Sequence, residues 1–255
     1  MGIFERKTAI VTGATGGIGH EIVNKLCTSG IGCVVAGRNE EKLRSLMECS
    51  TNGDIIPVRC DVTRLGDLQK LVEAATDGFG KIDILINCAG ITSQHHFWEQ
   101  PIEEIEMVVM TNYYSYVALT RLVVPHMKER GDGHIINITS GSVMVDPPPT
   151  KFAVYTSLKV ALRSFAKGLF WEMRDFGVKV TSIFPGVTKT PLTNRLENVT
   201  QSVEDRLMDP EVIADTVLFA INLPDNVSPL ELAVGNRRTP WVKPIIPVVQ
   251  DHPSN

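Results

Sequence analysis

Apolar residues fall along this chain in short unbroken runs, separated by longer stretches in which they recur at helical intervals. The runs are KTAIVT (7–12), GCVVAG (32–37), IIPVRC (55–60), IDILIN (82–87), GHIINIT (133–139) and VKVTSIF (178–184). Helical spacing lies between them, as from Ile18 to Cys27 and from Leu65 to Phe79. Val/Ile runs without alternation predict parallel strands covered on both faces. Strand and helix alternating six times along the sequence predict βαβ units and a doubly wound α/β sheet. From Tyr155 to Phe176 the helical stretch is apolar around most of its circumference (Val160, Ala161, Leu162, Phe165, Ala166, Leu169, Phe170). Burial on more than one side is expected there, by the sheet or by a neighbouring subunit. The pattern loosens through 188–208, and a helix is expected to resume at Asp209-Pro210-Glu211, with Asp as N-cap and Pro at the first helical position. No repeat, low-complexity tract or linker interrupts the chain. One domain is expected over 1–255, with a loop or lid at about 188–208 and a Pro-rich tail at about 239–255.

Composition narrows the class. Hydrophobic residues make up 43% and charged residues 21% of 255, an ordinary globular balance in a chain long enough to need no disulfide or metal staple. A formal charge of −4 argues against nucleic acid and anionic membrane as partners. Cys27, Cys33, Cys49, Cys60 and Cys88 show no CxxC spacing, and the start MGIFERKTAIV is charged and then strand-like. Reduced thiols and a cytoplasmic location are expected. Arg6 stands where a myristoylation signal wants Ser or Thr, and no apolar stretch reaches the roughly 18 residues that span a bilayer. The triplets at Asn137, Asn198 and Asn226 are then chance matches to a glycosylation signal.

The first chemical signal is TGATGGIG (12–19), between the first strand and the first helix. Gly13, Gly17 and Gly19, with Thr15 and Ile18 between and beside them, let the backbone turn tightly and approach a pyrophosphate seated on the helix N-terminus. A ligand-free tight turn is the alternative; the flanking strand and helix favour the phosphate site. At the end of the second strand, where a carboxylate takes the ribose hydroxyls of NAD, the chain has Gly37 followed by Arg38, with Lys42 one turn on. A guanidinium with no acid beside it suits the extra phosphate of NADP. NADP(H) is expected rather than NAD(H).

These residues, with NCAG (87–90), Tyr155-x-x-x-Lys159 and PGVTKT (185–190) in order, resemble the short-chain dehydrogenase/reductase family over about 1–235. The resemblance implies a Rossmann-like fold with a seven-stranded parallel sheet, and a homodimer or homotetramer. It implies that Asp61 and Val62 hold the adenine, that Asn87, Cys88, Ala89 and Gly90 form a turn against the ribose, and that Pro185, Gly186, Thr188 and Thr190 line the nicotinamide end. Asn112, in TNYYSY, resembles a helix asparagine that supports a water relay to the lysine. Asp61 as an N-cap and Asn112 as a satisfied polar group are the structural alternatives.

Reducing a carbonyl needs a hydride at carbon and a proton at oxygen. Tyrosine has a pKa of about 10, and an ammonium one turn away is expected to lower it. Tyr155 is then the general acid in reduction and the general base in oxidation, Lys159 also holds the nicotinamide ribose as the resemblance implies, and a serine hydroxyl bonds the substrate oxygen. Aligning the fifth strand gives Ser140, whereas counting back the family's interval from Tyr155 gives Ser142. A longer loop around Pro147, Pro148 and Pro149 reconciles the two, because strand ends are fixed and loop lengths are not. Ser140 is preferred, and Ser142 is left to cap or line the pocket. His95-His96 lacks a third ligand, so no metal is expected and the pair is read as a loop near the substrate mouth. Leu192, Leu196, Val199 and Met208 suggest an apolar lid, and Arg195 is the one arginine that could meet a carboxylate. The expected function is NADP-dependent interconversion of a small-molecule carbonyl and an alcohol; a non-catalytic NADP-binding regulator on the same fold is the alternative.

Overall fold

The computed structural model describes residues 7–48, 55–146, 148–197, 199 and 201–241. Residues 1–6, Cys49, Asn198 and the tail beyond Trp241 lie outside them. The six expected runs form strands: β1 (Thr8–Thr12), β2 (Gly32–Gly37), β3 (Ile55–Arg59), β4 (Ile84–Asn87), β5 (Gly133–Ile138) and β6 (Val178–Pro185). A seventh, β7 (Glu231–Val234), pairs with β6, and the parallel sheet runs β3-β2-β1-β4-β5-β6-β7.

Alternate residues of each strand enter two cores, one on each face. Ala9 and Val11 of β1 pack with Ile22 and Leu26 of α1 (Gly17–Thr28), Leu43 and Leu46 of α2 (Glu40–Met47), and Ile213 and Val217 of α7 (Pro210–Ile221). On the other face Ile10 packs with Leu68 and Leu71 of α3 (Leu65–Phe79), Leu119 and Val123 of α5 (Ser115–Arg130), and Ala166 of α6 (Ala153–Met173). Between α4 (Ile102–Val109) and α5 the chain makes a π turn, Met110–Tyr114. Pro210 opens α7 as expected, and Asp209 precedes it without a side-chain capping bond. No helix among the described residues is long and apolar enough to cross a membrane.

Helix α6 departs from expectation. Leu162 and Ala166 face the core, but Val160 and Trp171 are exposed, so this chain covers one side of the helix only. Its position is fixed instead by a charged tie to β7. Arg163 donates from Nε and Nη2 to the two oxygens of Glu231 (2.7 and 2.6 Å), and Lys167 Nζ lies 3.0 Å from Glu231 Oε1. The Arg163 bonds, outweighing burial, and then Lys167, hold the Glu231 carboxyl down at about 2. A carboxyl lowered in the folded state stabilises above its unfolded pKa and loses that contribution as pH falls through the folded value. Glu231→Gln is expected to cost about 1–2 kcal/mol at pH 7 in urea unfolding, discounted for partial exposure. The gap to wild type should narrow below pH about 4.5; equal stability at pH 7 would remove the tie from this account.

Candidate active site

The strand order turns outward in both directions from β1 and β4, and the loops leaving their C-terminal ends diverge there. A crevice at such a switch point is where doubly wound sheets bind ligands. Here it is a cavity of about 840 Å³, running from Arg38 at the end of β2 to Trp241 beyond β7.

Its floor is close backbone packing. Gly13 has φ +66°, and a Cβ there would stand 2.7 Å from Ala89 Cα. A Cβ on Gly19 would collide with the Gly13 carbonyl, and one on Gly17 would meet Thr190 Cγ2 at 2.8 Å. Thr12 Oγ1 accepts the amides of Cys88 (3.0 Å) and Ala89 (3.2 Å), bolting the first βα turn to the turn after β4. Helix α1 starts at Gly16 with no side-chain cap and no acid in its first turn. Its end therefore turns bare amides and the positive end of its dipole into the cavity. A cradle this shallow, over an uncapped helix, fits the pyrophosphate of a dinucleotide.

At one end, a Cβ on Gly37 would lie 2.8 Å from Thr15 Cγ2 and 3.0 Å from its Oγ1, so Thr15 occupies the room that a carboxylate at 37 would need. Arg38, Lys42, Cys60, Asp61 and Val62 complete this wall. Asp61 does not cap α3, which begins at Leu65 after Arg64. Its carboxylate accepts from Thr63 N (3.1 Å) and Oγ1 (2.8 Å). Burial alone would raise the Asp61 carboxyl; the Thr63 bonds, with Arg38 and Arg64 nearby, outweigh it and hold the group below the usual range.

At the other end stand Ser140, Tyr155, Lys159 and Asn112. Ser140 follows β5, and its hydroxyl accepts the Ser142 amide (3.1 Å) on the same stretch of wall as Tyr155. Ser142 reaches the same wall, but its hydroxyl is buried and has no partner among the described residues. Lys159 is buried, its Nζ 5.7 Å from the Tyr155 ring centre and 5.2 Å from that of Tyr116. Burial raises the Tyr155 phenol, opposed by the Ser140 hydroxyl, and burial lowers Lys159 to about 8. Desolvation is the largest cause of both shifts. Asn112 sits in the π turn, fully buried, and spends both ends of its amide on Ile91, accepting from N (2.9 Å) and donating to O (2.8 Å). Gly90 lies beside both, 3.2 Å from Asn112 Oδ1 and 3.9 Å from Lys159 Nζ when measured from a Cβ placed on it.

Other expectations shift. Asn87 is absent from the cavity wall and instead donates to Asn137 Oδ1 (2.9 Å) and Thr120 Oγ1 (3.2 Å) beneath it. Gly13, Thr15, Gly17, Ile18, Gly19, Ala89, Gly90, Pro185, Gly186, Thr188 and Thr190 all line the cavity. Of the lid residues, Leu192 and Leu196 reach it, Val199 does not, and Met208 packs on the core where its strand bridges Thr188. In the proline loop, whose Pro147 lies outside the described residues, Pro149 and Phe152 form wall, and Lys151 takes φ +71°. Three mouth loops meet there: Lys151 pairs with Glu197 (2.7 Å), Gln94 Oε1 accepts the Glu197 amide (3.0 Å), and the His95 amide donates to Lys151 O (3.1 Å). His95 pairs with Glu104 and His96 stacks on Trp98, so neither histidine faces the cavity. No group of three metal-ligating side chains occurs among the described residues.

Several wall residues had no motif to mark them. Asn236 accepts from Val187 N and donates to Val187 O, both at 2.8 Å, and so pins the loop after β6. Trp241 lies 6.4 Å from the Phe152 ring, which meets Tyr155 edge-on at 6.1 Å. Arg238 and Tyr116 complete the group.

Comparison with known proteins agrees with this geometry. The family profile described as short chain dehydrogenase matches residues 7–200. The chain belongs to the short-chain dehydrogenase family. It is an oxidoreductase of that family, and its relatives carry the same general label. It is 34% identical to an uncharacterized oxidoreductase of Staphylococcus aureus strain MW2, over 92% of this chain and 99% of that one. It is 32% identical to one of Staphylococcus haemolyticus strain JCSC1435, over 89% and 96%. Among solved structures, a 3-ketoacyl-(acyl-carrier-protein) reductase from Brucella melitensis complexed with NADH superposes with TM-score 0.83 at 25% identity, covering 92% of this chain and 98% of that one. An actinorhodin polyketide ketoreductase with NADPH does so with TM-score 0.83 at 28%, covering 92% and 98%. One holds NADH and the other NADPH, so the choice in this short-chain dehydrogenase has to be argued from its own residues. The cradle carries a direct test. Gly13→Ala is expected to cost about 1–3 kcal/mol of stability through its positive φ and the Ala89 contact, and to lower NADPH affinity in calorimetry. Wild-type stability together with wild-type affinity would contradict the close-packed floor.

Proposed function

We propose that this short-chain dehydrogenase interconverts a carbonyl and an alcohol with NADP(H), Tyr155 moving the proton. The observation that carries this reading is the convergence of Ser140, Tyr155 and buried Lys159, one turn along α6 from the tyrosine, on one end of the cavity wall. When bound, the nicotinamide supplies the hydride for reduction or accepts it in oxidation. The chain's own residues hold the substrate and manage the proton. Ser140 and Tyr155 hold the substrate oxygen; in reduction the Tyr155 O–H bond breaks, its proton passing to that oxygen and its electrons staying on the phenolate. Burial that raises the phenol keeps it protonated, and therefore a donor, at neutral pH. The Lys159 ammonium then lies beside the phenolate, where opposite charge in a dry site is favoured. Asn112, its amide committed to Ile91, supports this end by fixing the backbone next to Gly90.

NADP(H) is preferred because Thr15 fills the carboxylate's room at Gly37, leaving Arg38 and Lys42 to a phosphate. The exposed Val160 and Trp171 on α6 support association with further copies, as a homodimer or homotetramer. A cytoplasmic setting, in which the cysteines stay reduced, completes the reading.

Tyr155→Phe is expected to lower turnover about 10²–10⁴-fold while NADPH still binds nearly as tightly; retained turnover would remove Tyr155 from the proton step. Arg38→Asp is expected to shift the NADPH/NADH ratio of kcat/KM about 10- to 100-fold toward NADH, and an unchanged ratio would refute the phosphate role.

A further inference from the structure

The proposed reaction asks for a neutral carbonyl, yet the end of the cavity where it would occur carries two arginines that the reaction leaves unused. Arg195 ends a 3₁₀ turn whose Thr193 hydroxyl donates to Thr188 O (2.6 Å). Arg238 lies between Asn236, pinned to Val187 at 2.8 Å, and Trp241, packed towards Phe152. Both therefore rise from segments anchored beside residues 187–188, and both line the cavity. Neither guanidinium has a hydrogen-bond or ion-pair partner among the described residues. Both glutamates of the lid are already engaged, Glu197 by Lys151 (2.7 Å) and Glu204 by Lys189 (2.5 Å). Asp61 is the cavity's one carboxylate among the described residues, and it stands at the far end with Arg38.

The dinucleotide does not call for this charge. Its pyrophosphate is served by the bare N-terminus of α1 and the extra phosphate by Arg38 and Lys42. Met144, Phe152, Leu192 and Trp241 give the reaction end an apolar surface. On the reading of a carbonyl reductase given above, we infer that the substrate is an oxo acid, or in reverse a hydroxy acid. Its carboxylate meets the forks of Arg195 and Arg238, its carbon chain lies on the apolar wall, and its carbonyl meets Ser140 and Tyr155. Planar guanidinium groups suit a carboxylate in a two-pronged fit, and an unbalanced positive mouth also draws anions in.

Two measurements test this. Calorimetry at saturating NADP⁺ compares hexanoate with hexanamide, its neutral counterpart, in wild type, Arg195→Met and Arg238→Met. Kinetics with NADPH compare 2-, 4- and 5-oxohexanoate with their methyl esters. Hexanoate is expected to bind about tenfold or more tightly than the amide, and at least one oxo acid to exceed its ester in kcat/KM by a similar factor. Each substitution should erase most of that preference, the loss falling on acids rather than esters and sparing NADPH affinity. Equal treatment of acid and neutral partner by the wild type would overturn the inference, as would variants that weaken NADPH instead of the acid. Turnover of esters without acid preference would sink this inference and leave the proposed reaction standing. Arginine-dependent hexanoate binding with no carbonyl turnover would do the reverse.

Discussion

Two turns of backbone, the one after β1 and the one after β4, lie in direct contact at the floor of the cavity. Gly13 can lie against Ala89 only because it has no side chain, and the Thr12 hydroxyl holds that contact by accepting two amides from the facing turn. This contact fixes the two turns that make the floor of the cavity. It sets the bare start of α1 over the crevice, and it brings Cys88 and Gly90 under Lys159. A side chain at 13 or 19 would push the floor apart, separating the dinucleotide end from the residues of α6.

Above that floor, two asparagines do similar jobs. The amide of Asn112 pairs with the backbone of Ile91, and that of Asn236 with the backbone of Val187. A side-chain amide has one donor edge and one acceptor edge, so each can replace the neighbouring strand that a loop lacks. Loops on either side of Tyr155 are thereby held without regular structure. The tyrosine and lysine share the cost of the dry site they make: burial drives the phenol up and the ammonium down, both toward neutral forms. The Ser140 hydroxyl is the one local group opposing this at the phenol. In the proposed reaction the proton donor is the buried phenol, with Ser140 and Lys159 beside it.

What could be read along the chain was what local sequence encodes. Five strands announced themselves because they are buried on both faces, β3 by an apolar run that is only partly buried, and the glycine turn because its spacing is rigid. Strand β7 did not: ELAV is four residues long, half-exposed and at the sheet edge, so it has no apolar run to detect. Asn236 and Arg238 went unread with it, since only the strand places them over the cavity, whereas Trp241 belongs to the apolar tail, a segment that could close the pocket. Asn87 carries a motif, yet its side chain turns beneath the wall to Asn137, a pairing across strands that spacing cannot reveal. Met208 was apolar in a lid-like stretch but is consumed by the core under Thr188. The serine was ambiguous by counting because the proline loop is long; Ser140 and Ser142 both reach the cavity wall, Ser140 bonded to the Ser142 amide and the Ser142 hydroxyl without a partner among the described residues.

The central claim is that a hydride and a proton are delivered to the two ends of one carbonyl bond in this crevice. Following the label from NADPH deuterated at its transferable position tests it most directly, with any ketone, aldehyde or oxo acid the protein consumes. The account predicts one deuterium on the carbinol carbon of the product, and none on that carbon when unlabelled NADPH is used in D₂O. Product without the label at that carbon, or NADPH bound but never consumed across those carbonyl classes, would contradict it.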